Sequence, residues 1–144
     1  MAENRPSNVF SAPMDITHRI REGHEQILAT FYGYRVSPPD SRQALVGQIL
    51  HQLASHLEMV ENLAFHKLRK SESGGTKLTE AIVHEHEEIK AMILNLQQFE
   101  GDDDQAFDEA FEQMMKSVRA LFISEKQDLL RLIDHSLDPY PSTK

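Results

Sequence analysis

The 144-residue chain contains no cysteine, which removes disulfides, zinc-thiolate sites and thiol catalysis together. Any metal must be held by nitrogen and oxygen. Basic residues are in deficit: 15 Lys and Arg against 23 Asp and Glu give a formal net charge of −8 at pH 7, and no basic stripe is present. Phosphate backbones and anionic bilayers are bound by clustered Lys and Arg, so neither nucleic acid nor a membrane is an expected partner. No apolar run approaches the roughly 18 residues of a membrane span, and the opening MAENRPSNVFSAPM has neither the basic start nor the apolar centre of a secretory leader. A soluble, cytoplasmic protein is the expectation. A phosphate-cradling glycine loop, a nucleophile with a neighbouring base and paired carboxylates facing a cleft are also missing, so no enzymatic activity is assigned.

What the sequence does have is helical periodicity. With 40% hydrophobic residues the chain suits one domain able to bury a core. A polar arm (1–12) precedes a bundle (13–137) and a proline-containing tail (138–144). Helix one starts at Pro13 or Met14 and runs to about Arg35, where VSPPDS stops it. Asp40 or Ser41 is the expected N-cap of helix two, which runs to about Lys70. SESGGT is a turn, Thr76 or Thr79 caps helix three, and that helix runs to about Phe99. EGDDDQ places three aspartates at the positive end of helix four, which spans about 105–136. That acidic run lacks the alternating ligand spacing of a calcium loop and reads as capping and solvation. Four amphipathic helices on short connections pack antiparallel to their neighbours, giving an all-α, up-down-up-down four-helix bundle. No strand pattern competes.

Each helix gives up one core position to a metal-competent side chain. His56 lies on the stripe of Leu45, Ile49, Leu53, Val60 and Leu63. His24 shares a face with Ile20, Ile27, Leu28 and Phe31, and His86 with Ile82, Ile89 and Ile93. Glu125 lines up with Val118, Leu121, Phe122, Leu129 and Leu132. A single inward histidine is ordinarily a core histidine bonded to a neighbour; four such positions imply convergence. Counted from the connecting loops at 1.5 Å per residue, His24 and His56 match in height to about 3 Å, whereas Glu125 falls one or two turns from His86. Gly23, directly before His24, either admits a close neighbour or is a tolerated helical glycine. His18, His51, His66, His84 and His135 fall off the stripes and are expected in solvent, with His84 the nearest to a spare ligand. Met92, Met114 and Met115 read as core filler, with an interaction surface as the alternative.

Three imidazoles and one or two carboxylates suit an Fe(II), Mn(II) or Zn(II) ion with an open position for something as small as dioxygen, peroxide or nitric oxide. The competing reading keeps the same residues in a metal-free core, Glu125 paired with a histidine, in a structural or protein-interaction module.

The order of these residues, a helix-one histidine, His56-Leu-Glu-Met-Val-Glu61 on helix two, Glu85-His86 on helix three and Glu125 on helix four, resembles the hemerythrin-like HHE cation-binding family over nearly the whole chain. The resemblance implies an up-down bundle around non-haem iron, usually two ions, held by inward histidines and HxxxE motifs on helices two and four. By position it implies metal ligation by His24, His56, His86 and Glu125, with Glu61 as the candidate helix-two acid, and binding or sensing of a small diatomic ligand. The chain departs from the pattern twice. Val60 stands where the acid four residues after His56 should be, with Glu61 about 100° further round, and Leu121 stands where helix four should offer a histidine. Glu61 reaches the site only by its longer reach or a local helix distortion. The expected centre is therefore incomplete, holding one ion weakly or none.

Overall fold

A computed structural model describes residues 13–65, 75–99, 104–131 and 133, with backbone alone at 13–15 and 75–76. Helix α1 spans Pro13–Val36. Helix α2 spans Pro39–Met59 and continues as a π-helical turn over Val60–Phe65. Helix α3 spans Gly75–Gln97, and α4 spans Asp104–Ser124 before a second π-helical turn over Glu125–Leu129. No strand occurs among the described residues, and none of their helices is long and apolar enough to cross a membrane. The architecture is the expected up-down-up-down bundle.

Only Ser37 and Pro38 separate α1 from α2, so the two helices must reverse direction and pack side by side. The corner satisfies the open end of α1: the Ser37 hydroxyl donates to the Gly33 carbonyl at 2.7 Å, and Arg42 Nε donates to the Ser37 carbonyl at 3.2 Å. The N-cap expected at Asp40 or Ser41 is instead Pro38, with extended backbone at φ −67° and ψ 159°, and Pro39 occupies the first turn. The physical reason is that Pro39 fixes a helical φ where no intrahelical N–H is needed, while it disfavours helix in the residue before it. The caps expected at Thr76 and Thr79 are likewise corrected, because α3 already starts at Gly75 and Thr79 is buried inside it.

Ile20, Ile49, Leu53, Val118, Leu121 and Ile133 are completely buried, together with Met114 and Met115. Met92 packs against this core from its edge, so the three methionines serve as filler. Beyond His56 the stripe departs from strict α spacing. Val60, Ala64 and Phe65 are buried whereas Leu63 is only partly so, because the wider π turn changes which residues face inward. The arm 1–12, the tail 138–144, the turn at 71–74, the end of helix two towards Lys70, the acidic turn at 100–103, the last turns to Ser136, and Leu132, His66 and His135 all lie outside the described residues.

Candidate metal centre

His24, His56, His86 and Glu125 meet in the core. His86 and Glu125 are fully buried, with His56 4% and His24 7% exposed. Glu125 is the hub. Its Oε1 lies 2.7 Å from His24 Nε2 and 2.9 Å from His56 Nε2, while its Oε2 lies 3.2 Å from His86 Nε2. The carboxylate thus presents one oxygen to α1 and α2 and the other to α3. Ligand atoms of His24, His56 and Glu125 all fall within 4.8 Å of one another. The height mismatch of Glu125 is closed, since counting from a loop gives relative height only if the two flanking helices begin level.

Burial alone would raise the Glu125 pKa, but the contacts with His24, His56 and His86 outweigh it and hold the carboxyl well below the usual carboxylate range. A fully buried ionised carboxylate is tolerable because imidazoles within hydrogen-bond distance surround it. Aromatic rings wall the cluster. Phe122 stacks on His24 with centroids 4.1 Å apart and meets His56 edge-on at 5.4 Å, and Phe65, from the π-helical turn of α2, packs 5.2 Å from the His86 ring.

Gly23 on α1 packs directly against His56 on α2. A Cβ built there would lie 2.5 Å from His56 Nδ1, so the glycine admits the imidazole, the first of the two readings its position allows. Among the described residues His56 Nδ1 is buried without a hydrogen-bond partner, as is Gln52 Oε1 one turn earlier. Both residues line a groove of about 370 Å³ between α1 and α2, with Gly23, Arg19, His51 and Ser55.

Glu61 faces α3. Its Oε2 accepts from His86 Nδ1 at 2.9 Å, and Lys90 Nζ lies 2.8 Å from Oε2 and 3.1 Å from Oε1. Burial raises the Glu61 pKa, and Lys90 and His86 more than reverse it. The neighbouring Glu85 is shifted up by burial and by the charge of Glu125, with the Ser124 hydroxyl opposing. Lys90 is a site residue that the apolar stripes do not reveal, although its position one turn after His86 is a usable signal. Of the off-stripe histidines, His18 and His51 are exposed, and His84 is exposed and paired with Glu88 at 3.2 Å. Val60 and Leu121 are wholly buried among apolar neighbours.

The donor set fits a hard or borderline divalent ion. Neighbouring ligands on an octahedral ion with bonds of about 2.1 Å lie about 3.0 Å apart, and the three nitrogen-to-Glu125 separations bracket that value. The same separations are good hydrogen bonds, so the cluster is also self-consistent without a cation. The model of the hemerythrin HHE cation binding domain matches residues 15–133. No curated protein and no solved structure matches the chain.

Proposed function

Because the chain belongs to the hemerythrin HHE cation-binding domain family, we propose that its bundle holds a non-haem metal ion, iron foremost, and offers it to a small ligand. The observation that supports this is the convergence of three buried imidazoles on both oxygens of one buried carboxylate. His24, His56 and Glu125 Oε1 are the primary donors, and His86 approaches from the Oε2 side. A ferrous ion held there supplies an open coordination position for a ligand such as dioxygen or nitric oxide. The protein's own contribution is to exclude water, through Phe122, Phe65 and the surrounding aliphatic side chains, and to limit what enters. The groove over Gly23 reaches His56 from outside.

A second reading has its own support, since Glu125 already lies within hydrogen-bond distance of three imidazoles. In that reading the cluster is a polar lock in a structural or protein-interaction module. Elemental analysis of protein purified without a histidine tag separates the two. About one ion per chain is expected, with a chelator-reversible rise in thermal stability worth roughly 2.7 kcal/mol at an ion concentration a hundredfold above Kd. Absence of bound metal together with no stabilisation by Fe(II), Mn(II) or Zn(II) would favour the lock. Two irons per chain would show that Val60 and Leu121 do not impoverish the centre.

A further inference from the structure

We propose that Glu61, anchored by Lys90, is a positioning residue that fixes the tautomer and orientation of His86, and that the π-helical turn of α2 delivers it there. A neutral imidazole has one N–H and one lone pair. The shorter of the two contacts made by His86 is at Nδ1, to Glu61 Oε2 at 2.9 Å, against 3.2 Å at Nε2 to Glu125. With the Nδ1 proton donated to Glu61, the Nε2 lone pair is directed at the Glu125 side, which is what a cation ligand requires. Glu61 in turn is held by two contacts from Lys90, which lies four residues after His86 on the same helix. The carboxylate, imidazole and ammonium therefore form one unit spanning α2 and α3.

His56 lacks such a device. His56 Nδ1 has no partner among the described residues, so when Nε2 binds a cation the displaced proton has no acceptor among them. The outer nitrogen of His86, in contrast, is provided for in advance. Glu61 arrives by way of the backbone. It sits five residues after His56, a spacing that in a regular α-helix leaves the face of His56, and the π-helical turn begins at Val60, immediately before it. Wider turns of this kind occur within α-helices frequently at functional sites. In this arrangement Glu61 acts on the cation through His86 and not as a direct ligand.

The proposal rests on the cation reading for its binding arm alone, and its test has two arms. Nitrogen-15 NMR of the metal-free protein reads the proton on His86: Nδ1 is protonated in the parent chain, and in Glu61→Ala the proton is expected at Nε2, donated to Glu125. Co(II) titration, read by absorption, is expected to show affinity weakened about 10- to 100-fold in Glu61→Ala. A smaller loss is expected in Glu61→Gln, whose amide oxygen still accepts, and in Lys90→Met. These two conservative variants carry the test if the alanine variant does not fold. An unchanged Nδ1 proton in Glu61→Ala, or in Glu61→Gln and Lys90→Met an affinity equal to the parent's, overturns the proposal. So does a changed shape of the Co(II) absorption band in Glu61→Gln, which would make Glu61 a direct ligand. A parent chain that binds no Co(II) defeats the cation reading and leaves the NMR arm to decide the role of Glu61.

Discussion

Replacing Gly23 with alanine places a methyl carbon 2.5 Å from His56 Nδ1, 3.1 Å from Cε1 and 3.4 Å from Cγ. Ordinary contacts between heavy atoms lie at about 3.5–4.0 Å, so the ring must withdraw by roughly 1 Å. It has little room to do so, being 4% exposed, flanked by Phe122 and tied at Nε2 to Glu125. Overpacking of this kind costs about 1–3 kcal/mol, while removing a helical glycine returns about 0.5–1 kcal/mol. The balance is a net loss of up to about 2.5 kcal/mol, a fall of several degrees in Tm for a domain of this size. Gly33 and Gly47 are the controls, because nothing among the described residues lies within 4 Å of a Cβ built at either, so alanine there is expected to raise Tm. The assay is calorimetry of the three variants without metal, followed by Co(II) titration. In Gly23→Ala the displaced His56 is expected to weaken Co(II) binding at least tenfold, and Gly33→Ala and Gly47→Ala to leave it unchanged. The reasoning is refuted if Gly23→Ala stabilises as Gly47→Ala does and binds Co(II) normally.

Glu125→Gln removes the charge from the hub and is expected to weaken cation binding at least as much as the 10- to 100-fold typical of lost outer partners; an unaltered Kd in a metal titration would contradict the assignment. Tyr34, whose hydroxyl donates to Asp108 at 3.3 Å, is pushed up to about 12 from 10.0, chiefly by burial and next by Asp108. Its folded pKa exceeds its unfolded one, so its contribution to stability is complete below pH 10.0 and is lost as pH rises towards 12; Tyr34→Phe should flatten denaturation midpoints across that window. Val60→Glu with Leu121→His restores the family's ligand pattern at two wholly buried positions. It is expected to cost more than about 2 kcal/mol without metal and to recover part of that with Fe(II), as read by Tm with and without the ion.

The bundle and its inward residues are legible in the sequence because burial repeats at the helical period. Four polar exceptions to that period, His24, His56, His86 and Glu125, stand out against Ile, Leu, Val and Phe. Gly23 is legible only as a question, since a glycine in a helix looks the same whether or not an imidazole lies opposite. The α2 N-cap is misplaced by preferring Asp40 and Ser41, which have capping side chains, over a proline pair that sets the backbone directly. Leu63 is misplaced, and Glu61 left unresolved, for one reason: a stripe extrapolated at 100° per residue has no means of registering a turn that holds more residues. Lys90 escapes notice because a lysine on an amphipathic helix is ordinarily solvated, and its partner is supplied by another helix.

The π-helical turn after His56 can also be described as a matter of counting. A turn closed by bonds of one residue greater span accommodates one residue more than its α-helical neighbours, so in effect Val60–Phe65 absorbs an insertion without breaking the rod. Strike Val60 from the text and the segment reads His56-Leu57-Glu58-Met59-Glu61, the four-residue interval that the family motif prescribes. A rule that scores letters at fixed intervals therefore marks this helix as having lost its acid, although the acid is one place late and meets a histidine of the cluster from the neighbouring side. Chains of this kind are better compared by allowing a single-residue gap inside the helix, a place where gaps are ordinarily forbidden.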